Sequence, residues 1–547
     1  MEQEMEKRKR GKNEEKEEEK WVHDESVDYK GRVPLRAATG VWKASFFVLD
    51  LKTATNNVNY WKGATTLLPL IGGFVGDAYS GRFRMVLLSS FIYLKICDQP
   101  SKVHKVVFYL SLYSIALGTG GFKPCLQSFG ADQFDDDHLE ERKKKMSFFN
   151  WWTFTLSFAL LLGTTVVVYV QDFVSWGVAC LTLTIFMALT VIAFYLGMPF
   201  YRYNTRPKGN PFMPILQVLI AAIRKRNLSC PSNPALLYEV TKSQNSQGRL
   251  LSHTSRLRFL DKAAIVEEQD IEQKASPWRL ATVTRVEETK LILNVVPIWL
   301  TSLLVGVCIA HGSTLYVKQA AAMNLNINSF KVPPASMASL SAFGTIVFVP
   351  IYDRIFVPIL RKVTGNERGI SLLRRIGIGL TFSVILMVVA ALVETKRLRM
   401  ATHQDLTMRE TKYENMSVMW LIPQYLMMGI GNSFSLVGLQ EYFYDQVPDS
   451  MRSLGMALYL SVLGGGFFLS SFLIIIVDYV TGKNGKSWIA KDINSSRLDK
   501  FYWLLAVFNA LNLFLFVIVA KRYTYKAIHR KATENDGSNS DGVETLP

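Results

Sequence analysis

At 547 residues, 49% hydrophobic and 12% aromatic, with a mean hydropathy of +0.15, the chain is too long and too oily for one soluble domain. Several apolar runs reach the roughly 20 residues that a helix needs to cross a bilayer core of ~30 Å, which predicts a polytopic helical membrane protein. The net charge of +17 is spread over short loops between those runs. That is the positive-inside pattern of a membrane protein, and it argues against a nucleic-acid-binding face.

The first 20 residues are densely charged with nearly balanced signs, so residues 1–40 are expected to be a solvated cytosolic tail without a cleavable signal peptide. Residues 41–51 (VWKASFFVLDL) begin like a span and stop. Ala44 to Leu51 would cover only ~12 Å as a helix, and Asp50 interrupts them. A span is predicted over 61–78, ending in the loop GDAYSGRFR. The next apolar segment, 85–97, is short and contains Lys95, which predicts an interfacial or truncated element. Further spans are expected near 105–130, 148–170 and 174–199, which makes 41–199 an incomplete N-terminal bundle.

Residues 200–286 carry fourteen Lys and Arg against six Asp and Glu, and are expected to link two halves in the cytosol. Within them, Pro214 to Ile223 followed by Arg224, Lys225 and Arg226 also fits an amphipathic surface helix. Six apolar segments follow near 289–311, 333–352, 370–393, 416–440, 454–480 and 501–520, and form a C-terminal bundle over 287–526. A cytosolic tail, 527–547, closes the chain. Basic loops at 80–84, 139–146, 200–286 and 353–375 alternate with poorer ones, which places them in the cytosol. The fold class expected is an all-α polytopic membrane protein with the major facilitator fold. It would have two six-helix bundles, the N-terminal one incomplete, and about 10–11 spans instead of 12.

The five cysteines are scattered, so neither a disulfide framework nor a zinc site is indicated. No His-Glu-x-x-His, Gly-x-Ser-x-Gly or phosphate-binding loop occurs, and neither an enzyme nor a cofactor nor a metal is expected. Two features do carry chemistry. Lys123 lies inside an apolar helix, where an ionisable residue is costly and reads as functional by default, with snorkelling to an interface as the alternative. Gly118, Gly120 and Gly121 beside it would let neighbouring helices approach closely. The loop Gly73-x-x-x-Asp77-x-x-x-Gly81-Arg82-x-Arg84 can form a tight turn whose Asp and Arg groups pair across helix ends and hold one conformation. Asp353 and Arg354 repeat the idea after the eighth span.

The run LGTGGFKPCLQSFGADQFDDD (117–137) followed by FFNWW (148–152) resembles the plant nitrate/peptide transporter family, a branch of the proton-coupled oligopeptide transporters. VKQAAAMN (317–324), VPPASMASLSAF (332–343), IPQYLMMGIG (422–431) and GLQEYFYDQVPDSMRSLGMALYLS (438–461) match in the same order. The resemblance implies transport of a small anionic or zwitterionic solute (nitrate, a di- or tripeptide, or another organic anion) with protons, by alternating access. The implied setting is a plasma or vacuolar membrane, with homo- or hetero-oligomers of relatives left open. It further implies that Lys123 pairs with an acidic Glu-x-x-Glu-Arg/Lys motif of the first helix.

Between Leu49 and Thr53, where that motif should lie, this sequence has only Asp50, and a second gap follows Leu94. Both are expected to be internal deletions. Asn432 is neutral where peptide-carrying members commonly place an acid for the substrate amine. Ile309 aligns with a nitrate-binding histidine, and His311 lies two residues on, as either ligand or packing residue. Glu441 is expected to serve a gate or interface salt bridge before substrate contact. The alternative function is a transport-impaired isoform acting through association with full-length relatives.

Overall fold

The computed structural model describes residues 118–526 except 168–169, 171–173, 205–211, 232, 240–250, 268–275, 328–329, 333, 407–415, 484–487, 490–492 and 495. It also describes residues 26–27, 66–70, 74, 77, 527–529 and 543–545. The predicted elements at 41–51 and 85–97, and with them Gly81, Arg82 and Arg84, lie outside the described residues.

Helices build the described chain. In order they are α1 (118–131), α2 (Leu139–Leu162), α3 (Trp176–Leu196), α4 (Phe212–Arg224), α5 (Val283–Gly312) and α6 (Leu315–Ala321). There follow α7 (Ser339–Ile351), α8 (Val357–Thr364), α9 (Leu372–Leu406), α10 (Ile422–Asp445), α11 (Arg452–Gly482) and α12 (Leu498–Lys521). Three two-stranded antiparallel ladders are the only strands among the described residues: Ser26–Val27 with Tyr203–Asn204, Asn326–Ile327 with Phe330–Lys331, and Ala527–His529 with Val543–Thr545.

Seven helical stretches among the described residues are long and apolar enough to cross a membrane. Large apolar side chains such as Leu181, Leu511 and Phe514 are exposed on them, as expected where lipid replaces water. Their ends carry recognisable stops. Thr282 accepts the Arg285 amide to cap α5, Ser175 accepts the Gly177 amide to cap α3, and Gly365 closes α8 in the left-handed conformation.

Two predicted boundaries are corrected. The loop expected over 139–146 is the first two turns of α2, because its charges are satisfied in helical form. Glu140 and Glu141 favour the positive helix start, and Glu141 pairs with Arg202 at 2.6 Å. The loop expected to start at 353 is also helical. α7 continues through a π-turn over Tyr352–Phe356 into α8, a single run from Ser336 to Thr364.

In the C-terminal half, α9 packs along α10 and α12, and α5 along α11. The α5–α11 crossing is close enough that an ideal Cβ on Gly466 would lie 2.4 Å from the Cα of Gly306. α7 packs both on α10 and on α2, and so bridges the two halves. The linker is folded where it is described. α4 and the turn Arg258–Ala264 enclose Val218, Ala221, Leu260 and Ala263, and press them against Val283 and Val286 at the foot of α5.

Candidate functional site: an ion-paired seam between the halves

The apolar run that makes α2 a span is preceded by Lys145, and the run that makes α10 a span is followed by Asp445. Packing the halves together brings these two buried groups to 3.1 Å. Lys145 also pairs with Asp136, from the turn before α2, at 2.5 Å. Asp445 in turn receives Arg368 from the loop before α9. Arg368 reaches back to Glu441 at 3.2 Å, and Arg375 of α9 lies 3.8 Å from the same carboxylate. Burial disfavours the Arg368 cation, but Glu441 and Asp445 outweigh that and hold its pKa above the ordinary arginine value. Arg375 donates to Asn150 of α2 at 2.6 Å and lies over the Tyr352 ring.

A second group of contacts flanks this one. Asp353 accepts from Ser147, Asn150 and Trp151, three residues of α2, at 2.7, 2.7 and 3.1 Å. Arg452, the first residue of α11, pairs with Asp132 at 3.3 Å and Asp136 at 2.8 Å. The buried Asp77 carboxylate accepts the Leu454 amide at 2.9 Å, at the positive end of α11. Ser128 of α1 and Ser453 of α11 meet with their oxygens 3.0 Å apart. All of this lies at one end of the bundles, the end whose loops carry the excess of Lys and Arg. Chemically the seam is a latch: closed, it joins the halves by buried ion pairs, and each pair must rehydrate for the halves to part.

The seam gathers Glu441, Asp353 and Asp77 from the residues singled out in the sequence. Arg354 is exposed and stacks over the Trp151 ring at 5.6 Å, so Asp353 is held by α2 and not by its neighbour. Lys123 is half-buried on α1, and Gly120 beside it lies against Leu68, 3.0 Å from where a Cβ would sit. The stretch expected to supply its acidic partner is outside the described residues. Asn432 is half-buried on α10. His311 sits at the far end of α5, fully buried, its ring perpendicular to Phe501 at 5.6 Å, with neither nitrogen hydrogen-bonded among the described residues. Phe148, Phe149 and Trp152 are core residues.

Of the other polar residues, Gln424 donates to Gln319, and Gln319 to Glu394, whose carboxylate Arg397 grips. Thr153 of α2 donates to Gln440 across the halves at 3.3 Å. Lys145, Arg368, Arg375, Asp445 and Arg452 went unnoticed in the sequence. Their one signal was position: each is a charge within a turn or two of an apolar run.

His253, Asp261 and Glu287 bring metal-ligand atoms within 4.8 Å of one another. The Lys290 ammonium already lies 2.6 Å from Asp261 and 2.7 Å from Glu287, so the carboxylate charge is met by a lysine. The cluster is an ion-pair knot tying the linker to α5.

Comparison with known proteins settles the family. Residues 83–490 match the model of the POT family. The chain belongs to the POT family. It is 50% identical to Protein NRT1/ PTR FAMILY 5.6 of Arabidopsis thaliana, over 93% of this chain and 96% of that protein. It is 49% identical to Protein NRT1/ PTR FAMILY 5.7 of the same plant, over 96% and 95%. The first alignment runs over 559 residues, more than the 547 of this chain, so it passes positions at which this chain has no residue. A solved auto-inhibited POT family peptide transporter superposes with a TM-score of 0.57 at 18% identity, covering 91% of this chain and 96% of that one. That likeness shows the fold, a helical transporter of the major facilitator type. The POT chain is thus a membrane transporter and not an enzyme.

Proposed function

We propose that the protein is a secondary active transporter of nitrate, a short peptide or another small organic anion, coupled to protons and working by alternating access. The observation that carries this reading is the seam. Buried pairs such as Lys145–Asp445 join the halves at the basic end, which on this reading faces the cytosol, and they must separate for a solute to leave on that side. Neutral Asn432 offers no counter-charge to an ammonium, which favours a solute without a free amine. Lys123, Asn432 and His311 are assigned to proton coupling and solute contact, and Asp77, Glu441, Asp353 and Arg354, with Gly81, Arg82 and Arg84, to the closing contacts.

A second reading, a transport-impaired isoform associating with relatives, is favoured by the 559-residue alignment against 547 residues here. Uptake of labelled nitrate and of a labelled dipeptide into a heterologous cell, at acidic and neutral outside pH, separates the two. Acid-stimulated uptake by the chain as it stands supports the first and sinks the second. No uptake, restored by inserting a complete first helix, supports the second. In the restored protein Lys123→Ala removes proton dependence, and its persistence would show that Lys123 is outside the coupling set.

A further inference from the structure

α4 is apolar on both of its faces, and only one of them is covered. The inner face, Val218, Ala221 and Ala222, is buried against the turn Arg258–Ala264. At 100° per residue the opposite face is Phe212, Met213, Leu216, Ile220 and Ile223. Four of these are exposed, Leu216 at 48% and Ile223 at 66%. A folded linker domain surrounded by water would be expected to turn polar residues outward along such a helix.

Two further observations say what covers this face. The Phe212 ring lies 5.1 Å from Phe74, one turn from the basic end of the span predicted over 61–78, so the helix starts at the edge of the bilayer belt. At the other end of α4 the charges turn outward. Arg224 and Arg226 are exposed, and Lys262 donates its ammonium to the Arg226 carbonyl at 2.6 Å, which adds a third cation beside them. Lys225, on the inner face, is instead buried on the Ile265 carbonyl. Cations at the C-terminal end of a helix also suit its dipole.

We infer that the outer face of α4 docks onto the bilayer at the basic end of the bundles, with its apolar row in the acyl boundary and Arg224, Arg226 and Lys262 on anionic lipid headgroups. A row of apolar side chains flanked by cations, starting where a span ends, fits an interface-lying helix. Because α4 is packed on the foot of α5, the docked helix ties the linker to the membrane surface and to the C-terminal half together.

The test is a photo-crosslinking residue, p-benzoylphenylalanine, placed at Leu216 of the full chain. The chain is reconstituted in phosphatidylcholine vesicles with and without phosphatidylserine, and adducts are read by mass. Lipid adducts in both, with phosphatidylserine over-represented in the mixed vesicles, are the expected result. Exchanging each of Arg224, Arg226 and Lys262 for Gln should lower that over-representation by about fivefold per cation while leaving lipid adducts in place. Three outcomes would overturn the inference: adducts only to a second copy of the chain, no lipid adduct at all, or phosphatidylserine enrichment that the Gln exchanges leave unchanged. Loss of the enrichment on adding inorganic phosphate at constant ionic strength would also overturn it, because the cations would then form a site for free anions. Elution of each variant at the wild-type position controls for folding, and the Leu216 probe alone tests the apolar contact without touching a charge.

Discussion

Among single residues, Asp445 carries more than its size suggests. Its carboxylate is buried, and it holds Lys145 and Arg368 at once. Asp445→Asn would leave two buried cations short of charge, and removing one member of a buried pair costs about 3 kcal/mol or more. The expected result is a melting temperature lowered by several degrees in detergent, together with faster labelling of cysteines at the basic end as the halves part. Glu140→Gln, which breaks an exposed i,i+3 pair with Lys143, should leave both readings at the wild-type level. That asymmetry separates the latch from ordinary surface charge.

Between elements, the packing at the α5–α11 crossing rests on two glycines. A Cβ on Gly466 would meet Gly306 backbone at 2.4 Å, and one on Gly306 would meet the Val462 carbonyl at 2.7 Å. Neither obstacle is a flexible side chain, so the helices must move apart to admit a methyl group. Gly466→Ala should cost about 1–3 kcal/mol and lower the melting temperature. Gly482→Ala, at the end of the same helix with nothing within 4 Å of the new methyl, should be neutral or mildly stabilising.

The helices themselves were the most legible level. The six C-terminal spans lie within several residues of the apolar segments that announced them, because a run of about 20 apolar residues has few other uses. The charged start of α2 and the helical continuation past Asp353 were not legible, since local composition there favours a loop and distant partners decide otherwise. Lys145 and Asp445 are 300 residues apart, and nothing in either neighbourhood points to the other. The positions that family likeness supplied, Glu441 and Asp77, were found for a different reason than the geometry now gives.

Across the whole molecule, the halves meet tightly enough at the basic end to be locked there. Ser128 of α1 and Ser453 of α11 have their oxygens 3.0 Å apart. Ser128→Cys with Ser453→Cys, in a background with Cys125→Ser, should close a disulfide under mild oxidation, since Cβ atoms about 3.8 Å apart suit one. A reductant-reversible shift in gel mobility after proteolysis within the linker reports the bond. If the halves rest apart at this end, the bond will not form and the closed seam is a minor state. In a transport-competent version of the chain the same bond should abolish uptake, and reductant should restore it.

The charge order along the seam has an electrical consequence. Asp136, Lys145, Asp445, Arg368, Glu441 and Arg375 alternate in sign and sum to zero. A membrane potential does work only on net charge displaced through the field, about 2.3 kcal/mol per elementary charge per 100 mV. Parting or joining this latch displaces none, so its equilibrium should be the same in a resting and a depolarised cell. Whatever voltage dependence the full cycle shows then belongs to the cargo, to its protons or to Lys123, and its size counts their charge directly.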